Sequence, residues 1–230
     1  MKTNHFGQLV GDSLAIVSQG RFPDIEVLSG QTVRIEKVNV SHFDDLYAVY
    51  SSLTSPEKFT YMPFSQFEDK EEFGAFFQEL LESKDPYYLA IIDQSTEKVV
   101  GCFSLMRIDT RNRVIEMGWV IYSDSLQKTK LATEAQYLVM TYVFEDLCYR
   151  RYEWKCDSLN EASRRAAERL GFTYEGTFRQ AVIYKNRNRD TNWYSIIDKE
   201  WSEKKSRLEA WLDDSNFDTN GKQITPLREC

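Results

Sequence analysis

Ile115-Glu116-Met117-Gly118-Trp119-Val120-Ile121-Tyr122, then Ser123-Asp124-Ser125-Leu126-Gln127-Lys128-Thr129-Lys130, then Leu131-Ala132-Thr133-Glu134-Ala135, is the stretch that decides how this chain folds. Apart from Glu116 and Gly118 the first eight residues are apolar or aromatic, and they read as a strand. The next eight are polar and basic and read as a loop. From Leu131 the apolar residues recur at helical spacing, which predicts a helix over 131–146. A second strand over 150–157 and a second helix ending in Leu170-Gly171-Phe172 follow. A helix that begins just after a strand end presents orphan N–H groups and the positive end of its dipole, which together favour an anion. Lys128 and Lys130 stand at that point. The pattern fits a protein that grips a pyrophosphate and works on a group attached to it.

Outward from there the chain reads as follows. Residues 1–30 are punctuated by Gly7, Gly11, Gly20, Pro23 and Gly30 and read as an arm on the domain, with a short strand near 14–17. Residues 32–38 alternate as a half-buried strand. Ser41 or His42 can open a helix running to Tyr50, and 67–81 repeats Phe73, Phe76, Phe77, Leu80 and Leu81 at helical spacing. Residues 87–92, 98–108 and 114–122 form an antiparallel meander, with turns near 94–97 and 111–113. In the helix after the basic loop, Ala132, Ala135, Leu138, Val139 and Tyr142 make the expected buried stripe. Asn160 caps the next helix and Gly171 closes it. Strands at 173–174, 177–184 and 193–197 complete the sheet, with turns at Gly176 and 185–188. A charged helix over 199–213 is anchored by Trp201, Leu208, Trp211 and Leu212, and 214–230 reads as a loose polar tail. Mixed strands with helices on both faces make an α+β, three-layer domain.

Composition narrows the function. No apolar run approaches the ~20 residues of a membrane span, and no apolar core follows the N-terminus as in a secretory signal. Cys102, Cys148, Cys156 and Cys230 are widely spaced with no C-x-x-C pair, so free thiols in the cytosol or nucleus are expected. His5 and His42 are the only histidines and neither lies near a motif, which argues against a Ser-His-Asp hydrolase and a histidine-rich metal site. The net charge is −7, yet residues 150–189 hold ten Lys/Arg against five Asp/Glu. That local excess suits phosphates, and the acidic remainder suits a cationic amine. Overall acidity and the lack of a continuous basic stripe disfavour nucleic acid.

Gln127-Lys128-Thr129-Lys130-Leu131-Ala132, the helix opening Thr133-Glu134-Ala135, Asn160-Glu161-Ala162-Ser163 and Glu168-Arg169-Leu170-Gly171-Phe172 occur in that order. The set resembles the acetyl-coenzyme A site of the GNAT acetyltransferase superfamily, most of all its RimJ/RimL-type branch, over roughly residues 31–201. The resemblance implies an N-terminal arm (1–30), a GNAT domain (31–198) and a C-terminal helix and tail (199–230). It implies a three-layer α/β/α sandwich with a mixed, centrally splayed sheet: strands 114–122 and 150–157 part, and the pantetheine arm enters between them. The co-substrate would be acetyl-CoA, held by Gly118, Trp119, Val120, Gln127, Lys128, Thr129, Lys130, Leu131, Ala132, Thr133 and Asn160. Two departures stand out. Lys130 replaces the family's first loop glycine and can do so only with negative φ. Ala167 stands where many members carry a tyrosine that protonates the leaving thiolate.

Acetyl transfer to an amine needs a base for the ammonium proton and a donor near the sulfur. Glu116 is the expected base, because burial between Ile115 and Met117 would raise its pKa. The alternative is an exposed strand glutamate. Ser163, one turn from Ala167 on the same helix face, is the expected donor to sulfur, or else a small residue tolerated in a helix. Asn160 orients pantetheine amides or simply caps its helix. Tyr61, Phe64 and Trp193 wall an acceptor pocket or belong to the core. Cys156 reads as a core cysteine, since no base lies near it in sequence. The expected activity is N-acetylation of a small amine or a protein N-terminus in a ternary complex, by a monomer or homodimer. The alternatives are a GNAT-fold protein that binds an acyl-CoA without turnover, and a scaffold recruiting a partner through the charged C-terminal helix.

Overall fold

The computed structural model describes residues 2–14 and 18–230. Most of the strand expected near 14–17 lies outside the described residues. An antiparallel ribbon joins β1 (Lys2–Thr3) and β2 (Leu9–Val10). The other strands are β3 (Val27–Ser29), β4 (Val33–Lys37), β5 (Tyr87–Asp93), β6 (Lys98–Asp109), β7 (Val114–Tyr122), β8 (Arg151–Asp157), β9 (Thr173–Tyr184) and β10 (Arg187–Ile197). They form one sheet in the order β3-β4-β5-β6-β7-β8-β10-β9. Every pairing in this sheet is antiparallel except β7–β8, whose parallel step is made by the crossover through the helix Lys130–Thr141. The helices are α1 (Phe43–Tyr50), α2 (Lys70–Glu82), α3 (Lys130–Thr141), α4 (Glu161–Leu170) and α5 (Asp198–Leu212).

The sheet separates two apolar cores. One lies against α3, α4 and α5 and includes Ile115, Met117, Val139, Tyr152, Trp154 and Leu208. The other lies against α1 and α2 and includes Leu46, Tyr50, Phe73, Leu80 and Ile121. Along β7 the period of two would put Ile121 on the same side as Ile115 and Met117. It does not, because Trp119 is a bulge with φ +51. The register with β6 slips there: Cys102 faces Ile121, but Ser104 faces Gly118. One extra residue flips every later side chain to the other face.

Several expectations need correction. Residues 173–184 are one strand, and Gly176 (φ +156) lies beside a bulge rather than in a turn. The tail is not loose: Leu227 is buried in the core under α5, and Trp211 Nε1 donates to Gln223 at 2.8 Å. The buried stripe of α3 is rotated from the predicted one. Thr133, Glu134, Ala135, Gln136, Val139 and Met140 are buried, whereas Ala132, Leu138 and Tyr142 are only partly so. Glu134 explains the rotation, since its carboxylate accepts from the N–H groups of Gln31 (2.5 Å) and Thr32 (2.9 Å) and from the Thr32 hydroxyl. A buried carboxylate holding three donors fixes the helix against the β3–β4 turn. The predicted helix end over 142–146 is a π-helical turn. Residues 27–29 of the expected arm add an edge strand to the main sheet.

Candidate active site

Parallel pairing of β7 with β8 runs for only four rungs, from Val114↔Arg151 to Met117↔Trp154. Beyond them Gly118–Tyr122 pairs only with β6, while Lys155, Cys156 and Asp157 pair only with β10. The bulge at Trp119 turns β7 away from its neighbour, and the sheet splays. Backbone groups on the inner edges of the gap are left without a strand partner, so an extended chain fits there as a short added strand. Gly118 lies at the apex. A Cβ there would overlap the Met106 sulfur, and its carbonyl accepts from Ser104 Oγ at 3.2 Å.

The loop 123–129 carries the chain from the gap to the start of α3. Thr129 is the N-cap, its hydroxyl accepting from the Ala132 N–H at 3.1 Å. The left-handed residue of this loop is Lys128 (φ +63), not Lys130, which is the first residue of the helix. Lysine is therefore tolerated where the resemblance placed a glycine, because the turn has moved its strained position two residues earlier. The Lys130 ammonium points to the tail, 2.6 Å from Asp214 Oδ1 and 4.7 Å from the centre of the Phe217 ring. Of the two lysines, only Lys128 has a side chain not engaged by the tail. Gln127, Leu131, Ala132 and Thr133 flank this turn, and Thr133 Oγ1 accepts from Arg169 at 3.0 Å. An extended slot that ends at a capped helix N-terminus beside a lysine fits a pantetheine arm followed by a pyrophosphate.

Asn160 is the N-cap of α4, its Oδ1 accepting from Ser163 N–H at 3.0 Å. Ser163 Oγ accepts from Trp154 Nε1 at 2.9 Å and neighbours the Cys156 thiol, which burial pushes up and the Ser163 contact lowers. Ser163 therefore lies under β8, on the α4 side of the sheet. Ala167 is fully buried and offers no polar group.

The opposite face is charged. Glu116 is 6% exposed and points away from α3. Burial raises its pKa above the usual carboxylate range, against the lowering effects of Lys155 and Arg107. Lys155 Nζ lies 2.7 Å from Glu116 Oε2, 2.7 Å from Glu153 Oε2 and 3.7 Å from the centre of the Trp193 ring. Asp157 accepts from Tyr184 OH (2.7 Å) and from Leu159 N–H (2.9 Å). Burial first, and then Asp157, pushes Tyr184 up to about 12.

The segment 56–64 bridges the splayed strands on this face. Lys58 donates to the Tyr122 carbonyl (2.9 Å) and Tyr61 OH to the Leu159 carbonyl (3.0 Å). Lys185 and Arg187, at the β9–β10 turn, donate to the carbonyls of Phe59 (2.9 Å) and Thr60 (2.6 Å). Phe64 stacks on Trp119, rings 5.8 Å apart and nearly parallel. Tyr61, Phe64 and Trp193 are thus on the Glu116 side.

Sequence reasoning missed Lys155, Glu153 and Asp157. The signal was present, because Arg151, Glu153, Lys155 and Asp157 alternate with Tyr152, Trp154 and Cys156. At least four of the ten basic residues over 150–189 are engaged within the protein rather than free for a phosphate. Arg151 pairs with Glu153 (2.6 Å) and Glu175 (2.5 Å), Lys155 with Glu116 and Glu153, and Lys185 and Arg187 with carbonyls.

A splayed mixed sheet with this loop and helix defines a class, and comparison with known proteins agrees. The family described as acetyltransferase (GNAT) domain matches residues 33–173. The chain belongs to the GNAT acetyltransferase family. It is similar to a GCN5-related N-acetyltransferase from Brucella melitensis, at 42% identity and TM-score 0.90, covering 92% of this chain and 96% of that one. YdaF of Bacillus subtilis, whose name describes a ribosomal N-acetyltransferase, is 32% identical over 105 residues, 46% of this chain and 57% of that protein. The ribosomal-protein-serine acetyltransferase of Escherichia coli is 29% identical over 105 residues, 45% of this chain and 58% of that protein. The chain spans about half the length of the Bacillus subtilis relatives YdaF and YnaD. Among the described residues no helix is long and apolar enough to cross a membrane.

Proposed function

We propose that this protein is an acetyl-CoA-dependent N-acetyltransferase whose acceptor is a primary amine, either a small molecule or a protein N-terminus. The observation that carries the reading is the placement of Glu116. It is a buried carboxylate with a raised pKa, on the last residues of β7 before the strands part and on the face away from α3 and α4. The two faces of the gap divide the labour.

On the α3–α4 face, the inner edge of 118–120 would hold the pantetheine amides. The N–H groups at the start of α3 and Lys128 would hold the pyrophosphate. When bound, acetyl-CoA supplies the acyl group as a thioester. Asn160 keeps α4 in place, and the Ser163 hydroxyl donates to the departing thiolate. On the other face Glu116 takes the proton from the acceptor ammonium, directly or through water, so that a neutral amine attacks. Tyr61, Phe64 and Trp193 form the apolar walls against which the acceptor packs. Gap-facing N–H groups beside the Trp119 bulge relieve charge on the tetrahedral oxygen. A location in the cytosol belongs to the same proposal, supported by free thiols at Cys102, Cys148, Cys156 and Cys230.

The test is thiol release from acetyl-CoA over panels of small amines, polyamines and peptides with free N-termini. Calorimetry with acetyl-CoA runs in parallel. Binding followed by turnover with one amine class supports the proposal. Tight binding with no turnover over all panels would leave an acyl-CoA-binding protein instead.

A further inference from the structure

Glu116 Oε2 is engaged twice, by Lys155 Nζ at 2.7 Å and by Arg107 Nε at 3.3 Å. Among the described residues nothing is hydrogen-bonded to Oε1. Arg107 is 60% exposed, and a pair of that kind is worth little. Lys155 is 8% exposed and is held on three sides, by Glu116, by Glu153 and by the face of Trp193. Glu153 is in turn pinned by Arg151, 2.6 Å from its Oε1, and Arg151 by Glu175, itself bonded by Ser195 Oγ at 2.8 Å. The chain Ser195–Glu175–Arg151–Glu153–Lys155–Glu116 crosses from the β9–β10 pair over β8 to β7, with Lys155 alone lying past the last β7–β8 rung.

We propose that Lys155 is a positioning residue for acetyl transfer: by clamping Oε2 it fixes the Glu116 carboxylate as an anion and turns Oε1 towards the acceptor amine. The inference rests on the reading of Glu116 as base. An isolated carboxylate with this burial would keep its proton to higher pH and could not accept another. The ammonium of Lys155 opposes that tendency from the first residue of β8 beyond the last β7–β8 rung. Glu153 acts in the opposite sense, since its negative charge raises the Glu116 pKa. The groups facing Glu116 are thus Lys155 and Glu153 from β8 and Arg107 from β6. The aromatic Trp193 comes from β10.

The experiment titrates Glu116 directly, by carbon-13 NMR of side-chain carboxyls in the free protein, with the resonance assigned by its loss in Glu116→Gln. Lys155→Met should move the Glu116 midpoint upward by about one pH unit or more, the usual effect of losing an opposite charge at this distance. Lys155→Arg should restore most of the shift, and Glu153→Gln should move the midpoint down. The acid limb of kcat/KM, measured with acetyl-CoA and a peptide amine, should follow the same order, with KM for acetyl-CoA unchanged. If Lys155→Met does not fold, Lys155→Gln, which keeps a polar side chain but no charge, carries the test by the same upward shift. An unmoved midpoint in folded variants would overturn the role of Lys155 while leaving Glu116 as base. Full activity in Glu116→Gln would overturn both.

Discussion

The two faces of the splayed gap are built by different physics. On the α3–α4 side the ligand groups are mostly backbone: strand edges left unpaired by the bulge, and N–H groups at a capped helix start. Apart from Lys128, the side chains there are neutral or already engaged, as Lys130 is with Asp214 and Ser163 with Trp154. On the other side the groups are side chains, buried and charged, and each depends on the next. Backbone sites tolerate substitution, because the geometry survives a change of residue. Side-chain networks do not, because removing one ion leaves its partner buried and unpaired. The contrast accounts for a lysine where the family has a loop glycine, beside a carboxylate on the opposite face whose surroundings are fully specified.

Substitutions on the two faces should therefore differ in size and kind. Glu116→Gln is expected to lower turnover by ~10²–10⁴-fold, the range for a lost general base, with calorimetric affinity for acetyl-CoA retained. The parent acid limb should lie above the ordinary carboxylate range. Burial raises the Glu116 pKa, and only the deprotonated form can take a proton. Turnover in Glu116→Gln equal to the parent at every pH would erase the distinction between the faces.

Glu134→Ala acts on the support of the cofactor face. It leaves the Gln31 and Thr32 donors without their charged acceptor, and denaturant unfolding should show a loss of about 3 kcal/mol. A change below about 0.5 kcal/mol would mean water replaces the carboxylate.

Lys128→Glu should weaken acetyl-CoA binding by about tenfold, as one attraction at the pyrophosphate becomes a repulsion. Lys130→Glu should cost less at the phosphates, since its ammonium is turned to Asp214. Its larger effect should be on the tail, where two carboxylates would then meet. Equal losses of affinity would show that Lys130 swings back to the ligand. Lys128→Gly separates charge from conformation, for it removes the cation but suits a residue at φ +63.

Ser163→Ala is the smallest change, expected to slow single-turnover chemistry by less than about tenfold, because water can enter the space and donate in its place. Unaltered single-turnover rates would assign the hydroxyl to Trp154 alone.

How much of this was legible in the sequence follows the same division. Strand, basic loop and helix were readable from Ile115 to Ala135, since each is a local pattern with local causes: an apolar run, polar punctuation and apolar residues at helical spacing. The caps at Asn160 and Gly171 were readable for the same reason. The rotation of α3 was not, because Glu134 is buried by donors about a hundred residues away, at Gln31 and Thr32. The tail looked loose because few of its residues are apolar. Its anchors, Phe217 and Leu227, find partners at Trp211 and in the core beneath α5 only in three dimensions. Lys155 was counted among basic residues suited to phosphate. Its alternation with Tyr152, Trp154 and Cys156 marks it as facing away from the apolar layer under α3 and α4, but its ion-pair partners come only from the fold.

The bulge at Trp119 also bears on how this chain can vary. Losing one residue there would restore an even ladder, sending Ile121 under α3 and Tyr122 towards the aromatic cluster of α1 and α2. Gaining one would displace Glu116 from its cations or shift the strand past β6. Gly118, under the Met106 sulfur, and buried Ile121 restrict the residue types along 118–122, and the number of residues between Met117 and the loop is fixed as well. Within this family, insertions and deletions should therefore be absent from this strand and collect in the segment 56–64 and the β9–β10 turn, where chain length changes the acceptor walls without changing parity.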